Sequence, residues 1–263
     1  MLRLDARAEA KRLFFNYYSA RKTLPAPEGE AELLASGERL RIKYNGARVA
    51  AYSWGKGPKI IIGVHGIDGR GSQFSRFLPE LQRAGYRVIL YDAPGMANSP
   101  AKIVTTDQNR AVIAQLVHLV GAPYAFLSHC QGARWALYAH RHGIPVQKMI
   151  CMSAPAQGRW LFDKWKENLD IAPEVEALLE HMMEVVDGPD VWRKYSPVLL
   201  AENVQVPGLV LHGSDDDIVP ESDGRLLARA WRGAEFVSLQ GCDHFSILEA
   251  KLAIDSVMDF LDA

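Results

Sequence analysis

Short apolar runs recur along this chain, each followed by a stretch long enough for a helix, and that alternation restricts the possible folds more than any other feature. Lys59-Ile60-Ile61-Ile62-Gly63-Val64 and Tyr86-Arg87-Val88-Ile89-Leu90-Tyr91 are nearly continuous apolar runs rather than alternating ones. Strands buried on both faces of a mainly parallel sheet have that composition. Further strands are expected at 123–128, 147–153, 207–212 and 235–239, and helices at 73–84, 107–120, 132–142, 222–231 and 246–261. Such a sequence of βαβ units packs as an α/β fold, a three-layer α/β/α sandwich on a mostly parallel eight-stranded sheet. Ahead of it, segments 39–45 and 47–54 flank Asn45-Gly46, a strong hairpin signal.

The whole chain, 1–263, reads as one domain with two additions. The first is an N-terminal helical extension over 1–24, its helix expected at 5–22 and ended by Leu24-Pro25-Ala26-Pro27, since proline cannot continue a helix. Leu13, Phe14, Tyr17 and Tyr18 give that helix an apolar face, which packs on the rest of the domain or, as the sharper alternative, contacts a second copy in a homodimer. The second is a helical cap or lid insertion at 158–204, where the βα rhythm stops. Val175, Leu178, Leu179, Met182, Met183 and Val186 follow helical spacing there.

Three motifs fall just after expected strands. His65-Gly66-Ile67-Asp68-Gly69 follows the first. Ser128-His129-Cys130-Gln131-Gly132 sits between a strand and a helix, where a sharp turn lifts one side chain above the sheet. His212-Gly213-Ser214-Asp215-Asp216-Asp217-Ile218-Val219-Pro220 and Gly241-Cys242-Asp243-His244 close the last two strands. With Asp92-Ala93-Pro94-Gly95, these motifs resemble the α/β-hydrolase superfamily over roughly residues 38–262. The order nucleophile, acid, histidine is the one that fold uses.

That resemblance implies a catalytic set of Cys130, Asp216 and His244, with cysteine where the superfamily usually carries serine. Asp215 and Asp217 are close competitors for the acid. It implies an oxyanion hole from the backbone N–H groups of Ile67 and Gln131. A thiol at a helix N-terminus facing an imidazolium is acidified. Attack by such a group favours thioesters, activated esters and lactones over plain alkyl esters. The expected activity is hydrolysis of an acyl substrate through a covalent acyl-cysteine. Acyl transfer from the same intermediate, a non-catalytic ligand-binding protein, and a cysteine put in place of a serine are the alternatives. His65, Trp160, Phe162, Trp165, Met182 and Met183 are expected to contact a small-molecule substrate with an apolar portion.

Composition narrows the partners. A net charge of −1 on 263 residues gives no field for nucleic acid or anionic membranes. No apolar run reaches the roughly 20 residues of a membrane helix. Three cysteines without regular spacing make neither a disulfide framework nor a zinc pattern, so a reducing, cytoplasmic setting is expected. No cofactor and no metal are implied, because the acidic run at 215–217 belongs to the motif that supplies the acid.

Overall fold

The computed structural model describes residues 2–20 and 23–263, the first three of them as backbone only. The last two residues of the helix expected over 5–22 lie outside the described residues. Among the described residues ten strands are formed: β1 Glu38–Arg39, β2 Ile42–Tyr44, β3 Ala47–Val49, β4 Ala51–Trp54, β5 Ile60–Val64, β6 Arg87–Tyr91, β7 Ala125–His129, β8 Lys148–Met152, β9 Gly208–Gly213 and β10 Ala234–Leu239. The helices are α1 Leu2–Tyr18, α2 Glu30–Ser36, α3 Leu78–Arg83, α4 Thr106–Val120, α5 Gln131–Arg141, α6 Trp160–Lys166, α7 Pro173–Asp187, α8 Val191–Lys194, α9 Pro197–Ala201, α10 Glu221–Ala230 and α11 Lys251–Asp262.

Eight strands form one sheet in the order β1-β4-β6-β5-β7-β8-β9-β10. β1 and β4 pair antiparallel, as does β4 with β6; every pair from β6 to β10 is parallel. The remaining two, β2 and β3, form a separate hairpin turned by Asn45 and Gly46, both at positive φ. Two left-handed residues in succession suit the right-handed twist of the flanking strands.

Successive side chains of a strand point to opposite faces, and β5 shows the result. Ile62 and Val64 enter one core with Val112, Leu116 and Ala136, while Ile61 enters the other with Leu81, Leu127 and Val257. Helices cover both faces of the sheet, which is why its central strands are apolar throughout. All parallel strands end at one edge. The loops after β5, β7, β9 and β10 meet there, the usual place for a site in an open α/β sheet.

One sequence expectation needs correction. The helix expected at 73–84 is a 3-10 stretch over Gly71–Phe77 followed by α3. Pro79 has no N–H and clashes with the carbonyl four residues back, so it is accommodated only in a helix's first turn. The apolar face of α1 packs on the domain, the first of the two readings of it. Ala6, Ala10, Leu13 and Tyr18 are buried in one cluster with Phe162, Val175, Leu179 and Met183. Burying one leucine-sized side chain contributes about 1.5–3 kcal/mol, so this contact is worth several. The first helix is thereby fixed to the helices between β8 and β9.

Candidate active site

The turn after β7 sets Cys130 at φ 52° and ψ −123°, a backbone conformation that L-residues seldom adopt. Such strain costs on the order of 1–3 kcal/mol and persists only when its surroundings enforce it. Three contacts enforce it. The N–H of Cys130 donates to the Met152 carbonyl at 2.9 Å. The hydroxyl of Ser128, in the first position of the turn, donates to the Ile150 carbonyl at 2.6 Å. Gly132 lies so near β5 that an added Cβ would come 1.9 Å from the Val64 carbonyl oxygen. Only glycine permits that approach, and it lets α5 start directly beneath the cysteine.

The loop after β9 presents Asp216, and the loop after β10 presents His244, with Nδ1 of the imidazole 2.9 Å from Oδ2 of the carboxylate. Asp215 and Asp217 are exposed, and the Asp215 carboxylate accepts instead from Ser214 at 2.7 Å. Oδ1 of Asp216 accepts from the N–H groups of Ile218 at 3.0 Å and Val219 at 2.8 Å. His212 Nε2 donates to the Val219 carbonyl at 2.9 Å and lies 3.4 Å from Oδ2. Burial opposes ionisation of Asp216, but the donors from His212, His244 and Val219 outweigh it and hold the carboxyl well below the usual range.

Burial likewise opposes protonation of His244. The hydrogen bonds of Asp216 and of the Cys130 sulfur overcome it and carry the imidazole up to about 10. With Nδ1 committed to Asp216, Nε2 is left for the sulfur. A thiol, an imidazole and a carboxylate linked in that order can move a proton off sulfur and hold the resulting imidazolium.

His129, immediately before the cysteine, is also part of the arrangement. Its Nε2 donates to the backbone carbonyl of His244 at 2.8 Å, and the two rings lie 4.7 Å apart. Burial and the neighbouring His244 charge bring His129 down to about 3, so it is a neutral imidazole. Its adjacency in sequence gave no sign of this role, because the partner loop is 115 residues away.

A cavity of about 170 Å³ opens beside Cys130, lined by Ile67, Gln73, Trp160, Ile218, His244 and Phe245 among others. The 65–69 loop is closed by a hydrogen bond from Gly69 N–H to the Gly66 carbonyl at 3.2 Å, which leaves Ile67 at the cavity wall. Gln131 is the first residue of α5, where N–H groups have no intrahelical acceptor.

Of the six side chains expected to touch substrate, Trp160 lines this cavity, and its buried indole N–H has no partner. The other five are placed elsewhere. His65 is fully buried: Nδ1 donates to the Gly66 carbonyl at 2.7 Å and Nε2 accepts from Ala93 N–H at 2.8 Å. With both nitrogens committed, it props the loop rather than meeting a ligand. Phe162 and Met183 are buried against α1, and Trp165 and Met182 pack on the same cluster. Trp165 also donates to Asn16 at 3.1 Å. Helical spacing identified this stripe as apolar but not which surface covers it. Arg70, near the loop, is held by Glu30 at 2.9 Å.

Among the described residues, no group of three or more His, Cys, Asp or Glu side chains is arranged to hold a metal ion. No helix of the described residues is long and apolar enough to cross a membrane. Cys151 is fully buried, and burial pushes its thiol up to about 12. Cys242 is half-buried, and none of the three cysteines is in a disulfide.

With this topology and loop placement in view, the chain belongs to the alpha/beta hydrolase family, whose sequence profile matches residues 61–254. It is similar to a 2-hydroxy-6-oxononadienedioate/2-hydroxy-6-oxononatrienedioate hydrolase of Paraburkholderia phymatum, with 25% identity over 87% of this chain and 93% of that protein. In structure it is similar to a bromoperoxidase from Bacillus anthracis, with 19% identity, a TM-score of 0.67, and coverage of 87% of this chain and 100% of that one. It is similar as well to the thioesterase domain from the curacin biosynthetic pathway, with 14% identity, a TM-score of 0.64, and coverage of 86% and 99%. Likeness at these identities speaks for the shared fold, which hosts unrelated chemistries.

Proposed function

We propose that this protein hydrolyses an activated acyl substrate, a thioester, activated ester or lactone, through a covalent acyl-cysteine on Cys130. The observation that carries the reading is the hydrogen bond between His244 and Asp216, with the Cys130 sulfur acting on the same imidazole, at the strained turn that opens α5. His244 takes the thiol proton through Nε2, and the thiolate attacks the acyl carbon. The carbonyl oxygen, now an anion, is held by the N–H groups of Ile67 and Gln131. Collapse of the tetrahedral intermediate expels the leaving group, which takes its proton from His244. Water then attacks the acyl-cysteine, His244 accepts its proton, and the acid departs as the thiol re-forms. Asp216 keeps His244 in the tautomer that presents Nε2 to sulfur throughout.

A thiolate leaves a tetrahedral intermediate more readily than an alkoxide does, so plain alkyl esters are poor substrates for this chemistry and thioesters good ones. The name of the curated relative, a hydrolase, favours water over another acyl acceptor. Helices α6–α9 act as a cap over the site, contributing Trp160 to its wall. The protein works as a soluble cytoplasmic enzyme, consistent with three unpaired cysteines.

Intact-protein mass spectrometry after incubation with a panel of thioesters, lactones and activated esters tests the reading. An adduct with the mass of the acyl group, absent from Cys130→Ala, is the expected result. If no member of the panel yields an adduct or turnover, the proposal fails. Cys130→Ser distinguishes a native cysteine enzyme, which loses thioester turnover, from a serine enzyme carrying a trap, which gains ester turnover.

A further inference from the structure

A second cavity, of about 50 Å³, shares Ile67 with the wall of the first and is lined also by Gln131, the residue after Cys130. A water-sized probe needs roughly 10–15 Å³, so the space takes a group of about three to five heavy atoms. A carboxylate with its adjoining carbon is of that size.

Two polar side chains in its wall are buried and incompletely paired. Arg134 stands four residues after Cys130, one helical turn along α5 on the same face, and is 4% exposed. Its Nη2 donates to the Gly158 carbonyl at 2.6 Å, but its Nε is buried without a partner, and the guanidinium forms no ion pair among the described residues. Gln131 is 1% exposed, and neither its Oε1 nor its Nε2 has a partner. A buried cation without a counter-ion and a buried amide N–H without an acceptor are both costly, and both are relieved by an anionic ligand.

Asp187, also in the wall, is not that counter-ion. The Tyr18 hydroxyl donates to one of its oxygens, and the Tyr195 hydroxyl donates to the other at 2.9 Å. Burial and the Asp187 charge keep both phenols protonated and therefore donating. The carboxylate is satisfied on its own side, and the guanidinium is left to whatever enters.

We infer that Arg134 and the side-chain amide of Gln131 form a carboxylate-recognising subsite in this second cavity, so that the acyl substrate carries a carboxylate at its far end. The inference rests on the Cys130 reading for the reaction but not for binding. Arginine is suited to the task because its donors match the two oxygens of a carboxylate, while the amide N–H adds a third contact. Tyr18, from the N-terminal helix, closes the subsite, which gives α1 a place in recognition.

Isothermal titration of Cys130→Ala protein at pH 7.5, with monomethyl glutarate and with dimethyl glutarate, provides the test. The monoester, which keeps one carboxylate, is expected to bind at least about tenfold more tightly than the neutral diester. Arg134→Met should abolish that preference and leave diester binding within about threefold, while Arg134→Lys retains part of it. Equal affinity for the two ligands overturns the inference without any change at Arg134. So does a preference that survives Arg134→Met, or a loss of both ligands together, which marks a structural role for Arg134. Failure of the nucleophile reading looks different: no acyl adduct forms on the wild-type protein, yet the preference for the monoester remains.

Discussion

His129 Nε2 donates to the main-chain carbonyl of His244 at 2.8 Å, so the residue before the elbow cysteine fixes the backbone of the residue that faces its sulfur. Because that bond uses the only N–H of a neutral imidazole, protonation of His129 would add a second charge against His244 in a buried site. His129 titrates near 3 when folded and near 6.5 when unfolded, so between those values the unfolded chain binds the extra proton. Stability therefore falls as pH drops below about 6.5, by up to about 1.4 kcal/mol per unit from this residue. His129→Asn, which keeps a donor but does not titrate, should reduce that slope in urea denaturation measured from pH 7 to pH 4. An unchanged slope contradicts the assignment.

His244 works in the opposite direction. Its folded value, raised to about 10, places the linked stability fully present below about 6.5 and lost as pH rises toward 10. Asp216→Asn removes the carboxylate that sustains the raised value. Turnover of a thioester should fall about 10²–10⁴-fold, because the imidazole loses its oriented tautomer. The upper limb of the stability profile should flatten in the same protein, as followed by thermal unfolding between pH 7 and pH 10.

Alkylation reads the sulfur directly. Iodoacetamide at pH 7 should label Cys130 faster than a free thiol, with the site mapped by peptide mass spectrometry, since a base paired with the sulfur takes its proton as it attacks. His244→Ala should slow that labelling by at least about tenfold. Labelling no faster than that of a free thiol, and indifferent to His244, contradicts the pairing.

Gly132→Ala sets a Cβ 1.9 Å from the Val64 carbonyl, a backbone group that cannot turn aside. The turn must open, at a cost of about 3 kcal/mol or more, with activity lost as Cys130 moves. Differential scanning calorimetry and turnover should fall together.

Phe162→Ala separates packing from recognition. The ring is fully buried among Tyr17, Trp165 and Trp192. Its removal should cost about 3–5 kcal/mol in denaturant unfolding. KM for an acyl substrate should stay within about threefold, because Phe162 does not line the cavity beside Cys130.

The layers, the parallel sheet and the Asn45-Gly46 hairpin were legible because each depends on local pattern: runs of apolar residues, helical spacing, a turn dipeptide. The contact of Asp216, rather than Asp215 or Asp217, with His244 agrees with the offset from β9 that the motif sets. What local pattern does not contain is the identity of a distant covering surface. The α7 stripe fits a packing face and a pocket wall equally well in the sequence, and only the structure shows α1, more than 150 residues earlier, lying on it. Arg134 was similarly hidden. In the sequence it is one charge inside an apolar helix, and its lack of an ion pair among the described residues emerges only when the loops around it are in place.

The seam between α1 and α7 ties the two ends of one event together. Should α7 swing outward to admit a substrate, either α1 travels with it, or Leu13, Leu179 and Met183 meet water on both sides of the seam. A probe attached to exposed Phe15 would then register opening of the cap from the opposite end of the sequence.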